Sequence, residues 1–299
     1  MKKHIKIAGL SLVTAIFISA PVAYAATPPP LGMADSFSIL SGTYSNSTSG
    51  TTINGDLGYT TPPATAPTVN GTTHVADSTY NQAGIDQGTA LSALNSQACT
   101  FTFASGAVDL ASDTTHGVAG VYAPGVYCIS GAATIGGGGT ITLTGAGTYI
   151  FRMTGALTAS ANSVVAVAGG ASACNVWWTP GAAATLGANS SFGGTVIDAS
   201  GISVGNAVAW TGRALAFGGT VSTANDTISS SVCAGSSSSG STGNANNNSS
   251  QSVPTATKTP GLPNTGGSEL ANANLIQAIV LTGAFAACLV LARVVSKRA

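Results

Sequence analysis

Charged residues are scarce in this chain. Only 6% of its 299 residues are Asp, Glu, Lys or Arg, whereas 44% are hydrophobic. The formal net charge is zero, but most cations lie near the two ends. Between residues 26 and 265 eight Asp face only Arg152, Arg213 and Lys258, which leaves a net charge of −5. Binding to nucleic acid needs a basic stripe, and attraction to anionic membranes needs cations, so both classes are excluded.

Groups that carry out catalysis or hold metals are equally sparse. No Glu occurs before position 269, and the Asp residues are scattered, so a carboxylate pair that would cleave polysaccharides is not indicated. After residue 25 the only histidines are His74 and His116, and no Cys-x-x-Cys occurs, so we expect no metal site. The run Gly201-Ile-Ser203-Val-Gly205 matches a nucleophile elbow, but no His follows residue 116. We therefore expect neither an enzyme nor a cofactor.

A short pattern is present instead, and it returns five times between residues 119 and 225. Each copy is an apolar strand, a turn that contains Gly, and a second strand with a central hydroxyl residue; most copies end in Asn. The central hydroxyls are separated by 24, 27, 18 and 19 residues and are Thr134, Thr158, Thr185, Ser203 and Ser222. A short period of strand and turn with no helix inside it is typical of a β-solenoid.

These hydroxyl residues are predicted to share one face that points to solvent. Side chains alternate along a strand, so apolar neighbours such as Leu157 and Ile202 point inward and the hydroxyls point outward. The strand-like segment 37–46 matches the repeat in shape and would add a detached coil. The predicted face consists of Thr134, Thr158, Ser160, Thr185, Gly187, Ser203, Gly205, Ser222 and Ala224, with Thr43 and Ser45 from the detached coil.

The corners and the flank of the solenoid also have sequence signals. Asn tolerates left-handed backbone, so we place Asn162, Asn189, Asn206 and Asn225 at the corners. Residues 75–97 are predicted to be one helix, capped by Asp77 or Ser78. Two glycines weaken this helix, so it must be held by packing along one flank of the solenoid. Its predicted apolar stripe is Tyr80, Ala83, Ile85, Gly88, Leu91 and Leu94.

The N-terminal segment is typical of a secretory signal. Residues 1–25 contain early lysines, an apolar run and the small-residue cleavage site Ala23-Tyr-Ala25. The alternative is an N-terminal membrane anchor, which the cleavage site disfavours. Residues 234–261 are rich first in Ser, Gly and Asn and then in Pro and Thr, which predicts a flexible stalk that spans on the order of 30 Å.

A three-part signal follows the stalk. Leu262-Pro-Asn-Thr-Gly266 precedes the mostly apolar residues 275–292 and the cations Arg293, Lys297 and Arg298. This order resembles the sorting signal of proteins that sortase joins to the Gram-positive type of cell wall. The resemblance implies cleavage between Thr265 and Gly266, with sortase and peptidoglycan as partners. A simple membrane anchor is the alternative, because the apolar segment is long enough to span a bilayer and the cations would stay on its cytoplasmic side.

Cysteine usage fits an exported domain. Cys288 lies in the apolar segment and should be unpaired, which leaves four cysteines and therefore two disulfides. Three connectivities are possible. We favour the pairs Cys99–Cys128 and Cys174–Cys233.

Five motifs carry a resemblance to a known family. They are Leu31-Gly-Met-Ala-Asp-Ser-Phe-Ser-Ile-Leu40, Gly55-Asp-Leu-Gly58, Pro124-Gly-Val-Tyr127, Asn175-Val-Trp-Trp178 and Gly212-Arg-Ala-Leu-Ala216. In this order they resemble the ice-binding-like domain of secreted microbial ice-binding (antifreeze) proteins, over residues 31–233. The resemblance implies a mainly β fold, a discontinuous right-handed β-solenoid of triangular section with one long helix along a side. It also implies that one flat β-face meets ice, although this chain has fewer Thr there than the most ice-active members.

Two functions follow as expectations. The first is ice binding by a monomeric head that is secreted and anchored to the cell wall, through a flat face of Thr, Ser, Ala and Gly. Ice presents donors and acceptors without charge, which such a face would match. The alternative is a wall-anchored adhesin that binds glycans or proteins on the same solenoid. Exposed aromatic residues would favour the adhesin, but Trp177, Trp178 and Trp210 lie at repeat positions that favour packing roles.

Overall fold

The computed structural model describes residues 25–231, which form short β-strands and one long helix. A short 3-10 turn, Gly32–Asp35, precedes the first strands. The strands before the helix are β1 (Phe37–Asn46), β2 (Thr52–Asn54), β3 (Asp56–Tyr59), β4 (Thr68–Val69) and β5 (Thr73–Val75), and the helix α1 spans Ser78–Ser96.

The remaining strands lie in the five repeats and directly before and after them, with a second 3-10 turn at Ala173–Asn175. Their bounds are β6 (Phe101–Thr102), β7 (Val108–Asp109), β8 (Val121–Tyr122), β9 (Gly125–Ile129), β10 (Ala133–Ile135), β11 (Thr140–Thr144), β12 (Tyr149–Met153), β13 (Leu157–Ala159), β14 (Val164–Ala168), β15 (Val176–Pro180), β16 (Ala184–Leu186), β17 (Ser191–Ile197), β18 (Ile202–Val204), β19 (Ala209–Thr223) and β20 (Thr227–Ser229).

These strands stack in parallel into three ladders. The first ladder runs β7, β10, β13, β16, β18, the end of β19 and the end of β1. The second runs β8, β11, β14, the starts of β17 and β19, then β20, β2 and β4. The third runs β6, β9, β12, β15, the end of β17, the middle of β19, the start of β1, and then β3 and β5. A mainly β fold in which a parallel sheet curls around a core and carries one helix is thus confirmed.

The solenoid is discontinuous in sequence, as predicted. Strand β1 pairs with β19, with Leu40 opposite Leu215 and Tyr44 opposite Val221. The register shifts between Ser41 and Thr43. At Gly42, between them, an added Cβ would lie 3.1 Å from the backbone of Gly218, so the two chains approach closely at this bend. The N-terminal strands therefore complete the far end of a stack that the C-terminal repeats begin.

Aromatic rings fill the interior from coil to coil. Tyr127, Phe151 and Trp178 stack with centroid separations of 5.1 and 4.3 Å. The indole N–H groups of Trp178 and Trp210 donate to the carbonyls of Gly193 and Gly194, each at 2.9 Å. Trp177 is also buried, on the side beneath the helix. All three tryptophans therefore have the packing roles that their repeat positions favoured.

Helix α1 covers the third ladder, as predicted, but it begins three residues later than expected. Asp77 is its N-cap, and the carboxylate accepts the Tyr80 N–H at 2.8 Å. The predicted stripe is wrong at two positions, since Ile85 is 63% exposed and Gly88 faces open space. The buried side is Tyr80, Ala83, Gly84, Gln87, Ala90 and Leu94.

Contacts with the sheet, rather than side-chain hydrophobicity, select that side of the helix. Gly84 lies against Phe217, where an added Cβ would be 2.4 Å from the ring. The side chain of Gln87 accepts the N–H of Phe217 at 3.1 Å. A polar residue and a glycine therefore belong to the packed face because a ring and a free N–H of the sheet stand opposite them.

The Cys99–Cys128 disulfide is confirmed and joins the segment after α1 to strand β9. Cys174 is also disulfide-bonded, but Cys233 lies outside the described residues, so that pairing stays a prediction. The signal segment, the stalk, the LPNTG motif and the apolar segment 275–292 also fall outside the description, apart from Ala25. Among the residues that are described, no helix has the length and apolarity that a membrane span requires.

Candidate functional site

The first ladder carries one outward polar side chain on every strand, in unbroken register. Thr134 lies opposite Asp109 and Thr158, and Thr185 lies opposite Thr158 and Ser203. Ser222 then pairs with both Ser203 and Ser45. We call this set the hydroxyl column; its members are Thr134, Thr158, Thr185, Ser203, Ser222 and Ser45. The predicted alignment is confirmed, including the contribution of the detached coil.

Strand alternation produces the column. Inward neighbours such as Leu157, Ala184 and Val221 are completely buried, whereas the column residues are half-buried or exposed. One hydroxyl residue at the end of β19, Thr223, does point inward; it is 2% exposed and shares a hydrogen bond with the Tyr44 hydroxyl at 2.8 Å. Burial raises the pKa of Tyr44 to about 12, so it stays a neutral partner. The strand pattern therefore tolerates Thr223 without turning the column inward.

Residues that flank the column are small. Thr43 lies opposite Thr220 and forms a bridge to Thr61, which extends the hydroxyl surface by one row. On the other side Ser160, Gly187, Gly205 and Ala224 are half-buried. At Gly187 an added Cβ would be 2.3 Å from the Ala161 nitrogen, and at Gly205 the clash with Ala188 is at 2.8 Å. At these two glycines a side chain would therefore be directed at the neighbouring coil, and not at solvent as expected.

Left-handed residues form the corner beside the column. Asn162, Asn189 and Asn225 have φ of 60°, 57° and 61°, as predicted. In the fourth copy the left-handed residue is Ala207, with φ of 60°, and not Asn206. The left-handed residue follows the central hydroxyl by four positions in three of these copies and by three positions in the last copy, so the spacing alone does not determine which residue forms the turn.

Charge is nearly absent from the first ladder. Asp109 ends it, and its carboxylate accepts the N–H groups of Ala111 and Gly136 at 3.0 and 3.1 Å. Ser203 lies in the middle of strand β18, far from the strand-to-helix turn that a nucleophile elbow requires. Within residues 25–231 no group of three His, Cys, Asp or Glu side chains could hold a metal ion. The surface can therefore offer neutral donors, acceptors and methyl groups.

The second ladder is another open face, which sequence reasoning did not single out. Its outward column runs through Thr140, Val164, Ser191, Ala209, Thr227 and Thr52 in register. We call this surface the second face. It is more apolar, with Val121 and Val167 exposed by 38% and 44%. At Gly193 it is covered by the turn that contains Ala173. The alternating run Thr140-Ile-Thr-Leu-Thr144 is the signal that could have revealed it.

Comparisons with known proteins agree with this architecture. Residues 39–229 match the family described as ice-binding-like. An ice-binding protein of Nostoc sp. (strain HG1) is 31% identical over 219 residues, which cover 69% of this chain and 76% of the relative. A shorter match, 37% identical over 78 residues, covers 25% of this chain and 28% of an ice-binding protein of Flavobacterium frigoris (strain PS1).

Solved structures share the fold. The crystal structure of an ice-binding protein from the Antarctic ascomycete Antarctomyces psychrotrophicus is 28% identical, with a TM-score of 0.58, and the match covers 68% of this chain and 98% of that one. An ice-binding protein from an Antarctic biological consortium is 27% identical, with a TM-score of 0.61 and coverage of 69% and 93%. Because the family match spans well over half of the sequence, the chain belongs to the ice-binding-like family.

Proposed function

We propose that this protein binds ice through the hydroxyl column and the small residues around it. The observation that carries the proposal is the unbroken register of six hydroxyl residues on adjacent strands. Membership of the ice-binding-like family supports it, as do relatives that are named ice-binding proteins. We further propose that the coils wind right-handed, the sense that parallel strand crossovers take.

The geometry suits a rigid, uncharged lattice. Adjacent strands are about 4.8 Å apart, so the six hydroxyls would extend over roughly 24 Å. Hydroxyl groups at a regular spacing can hold ordered water, while Thr methyl groups and bare backbone let the surface come close. The ladder hydrogen bonds have already ordered these residues, so little conformational entropy remains to be lost on binding. Half of the column is Ser, which lacks the methyl group.

Bulky substitutions on the column test the proposal. In the double variant Thr158→Tyr and Thr185→Tyr two rings would stand out from the middle of the column. The matched control is Thr140→Tyr with Thr227→Tyr, which places the same rings at exposed positions of the second face. Thermal hysteresis and ice recrystallisation are measured for both, with circular dichroism to check folding. We expect the first pair to abolish activity and the control to keep it.

The opposite pattern would move the ice-binding surface to the second face. Activity in neither the wild type nor the variants would reject ice binding for this chain. The adhesin alternative loses its aromatic candidates, because all three tryptophans are buried at 3% exposure or less.

We propose also that the head is secreted and anchored to the cell wall. The secretory signal, the stalk and the LPNTG motif before an apolar segment and a basic tail support this arrangement. The disulfide between Cys99 and Cys128 suits an oxidising compartment outside the cytoplasm. In a host with sortase, the wild type should co-purify with peptidoglycan and end at Thr265, and Thr265→Ala should stay in the membrane fraction. Wild-type protein that keeps residues 275–292 and stays in the membrane would favour a simple membrane anchor.

A further inference from the structure

A groove of about 560 Å³ lies beside the C-terminal half of α1, where strands of the third ladder turn towards the first. This volume is within the range of small-molecule sites. None of the residues that line it belongs to the hydroxyl column. Its polar lining includes Asn95, Arg152, Thr154, Thr179, Asp198 and Ser200.

Asp198 is the first sign of a ligand. Asp198 is one of the residues that line the groove, yet it is only 1% exposed. One carboxylate oxygen, Oδ1, accepts the N–H of Ser200 at 2.7 Å, while Oδ2 is buried without a hydrogen-bond partner. Burial raises the pKa of this carboxyl, and the donors near it, which are the N–H and hydroxyl of Ser200 and the N–H groups of Ala184 and Gly201, oppose the rise. A buried acceptor that lacks a donor is unfavourable, which indicates that a donor arrives from outside.

Arg152 is the second sign. Residues 25–231 contain only two cationic Lys or Arg side chains, and the other, Arg213, is buried and bound to Asp35 at 2.7 Å. The Arg152 guanidinium donates through Nη1 to the carbonyl of Gln97. Within the described residues it forms no ion pair. Its remaining N–H groups form a planar fork that fits a carboxylate.

The rest of the lining offers neutral hydrogen-bonding groups. Thr179 donates to the Asn95 side-chain oxygen at 3.3 Å, which leaves the amide N–H groups of Asn95 for other acceptors. Thr154 and Ser200 are exposed at the rim. Apolar atoms of Leu91 and other side chains complete the walls. A ligand with several hydroxyl groups and one carboxylate matches this set of partners.

We propose that the groove binds a uronate, a hexose sugar in which the terminal CH₂OH group is replaced by a carboxylate. Its carboxylate would accept from Arg152, and one of its hydroxyls would donate to Oδ2 of Asp198. The other hydroxyls would contact Asn95 and the threonines. Recognition here uses charge and hydrogen bonds, without aromatic stacking, and it is independent of ice binding because the surfaces differ.

Calorimetric titration of the full chain tests this proposal with sodium glucuronate, a short glucuronate-containing oligosaccharide and glucose. Glucose is the matched neutral sugar. We expect glucuronate to bind roughly ten-fold more tightly than glucose, the effect of one charge-assisted hydrogen-bond pair. Arg152→Gln should reduce glucuronate affinity to the level of glucose, and Asp198→Asn should weaken both sugars roughly ten-fold. Tighter binding of the oligosaccharide would identify a polysaccharide as the source, and equal binding a single sugar acid.

Two further variants separate binding from folding. Ala199→Trp fills the groove from an exposed lining position and leaves the Asp198 carboxylate in place, so it should abolish sugar binding while ice activity persists. Thr211→Ala, on the second face, should bind like the wild type. The proposal is overturned if glucuronate binds no better than glucose, or if binding survives in Ala199→Trp.

Discussion

The left-handed corner at Ala207 leads to a quantitative stability prediction. Ala207 has φ of 60°, the same conformation as Asn162 and Asn189 at the equivalent corners. Its side chain is exposed, and its N–H donates to the Ala224 carbonyl at 3.2 Å, a bond that any non-proline residue can make. The substitution Ala207→Asn therefore changes the local backbone preference and leaves the core contacts as they are.

The expected gain follows from that preference. Left-handed backbone costs a residue with a Cβ roughly 1–2 kcal/mol, and Asn occupies it several-fold more often than other residues. If Asn removes about half of the penalty, Ala207→Asn raises the free energy of unfolding by about 0.5–1 kcal/mol. For a domain of this size, that corresponds to a rise in Tm of about 1–4 °C.

Calorimetry and urea unfolding check this prediction with a reciprocal variant and a control. Asn189→Ala, at a corner with φ of 57°, should lose about what Ala207→Asn gains. Ala161→Asn is the matched control, because Ala161 is exposed in the same type of corner but has no positive φ, and it should be close to neutral. Neutral results for both Ala207→Asn and Asn189→Ala would refute the idea that these corners store a conformational penalty.

Two further predictions concern the packing of α1 and the buried carboxyl group of Asp226. Gly84→Ala should lower the free energy of unfolding by about 1–3 kcal/mol, because the Cβ would meet the Phe217 ring at 2.4 Å; Gly88→Ala, with nothing within 4 Å, should raise it by about 1 kcal/mol. A gain in both on urea unfolding would contradict the packing of α1. Asp226 is fully buried, and burial raises its pKa, so the folded state keeps its proton to higher pH than the unfolded chain. The stability contribution of this group therefore falls as pH rises, and the wild type's advantage over Asp226→Asn should shrink as the pH is raised above about 4, the pKa of Asp in an unfolded chain; a widening difference would contradict the raised pKa.

Local periodicity was enough to predict the hydroxyl column and its register. Thr158 and Thr185 lie one coil apart, and strand alternation determines which residues point inward, so spacing and hydropathy alone place the hydroxyls in one column. Separate signals favoured the pair Cys99–Cys128 among three possible connectivities and gave Asp77 as one of two candidate caps. The column depends on a repeat that is visible in the sequence, and the cap depends on residues close in sequence.

Periodicity did not predict every corner residue or the packed side of the helix. The Asn of the fourth repeat suggested the wrong turn residue, because a pattern of residue types does not determine which residue has positive φ. On α1, Ile85 is exposed while Gln87 is buried, since the ring and N–H of Phe217 decide the contact and not the hydropathy of the helix.

The sequence by itself determined that short strands repeat, that their outward residues are small and uncharged, and that one helix must pack against the stacked strands. Only the tertiary structure decided that β1 continues the stack beside β19, and that Arg152 and Asp198 line one groove. The physical reason is range. Neighbouring coils are joined by short loops whose alternation is visible in the chain, whereas these other contacts join residues whose closeness depends on how the whole stack closes.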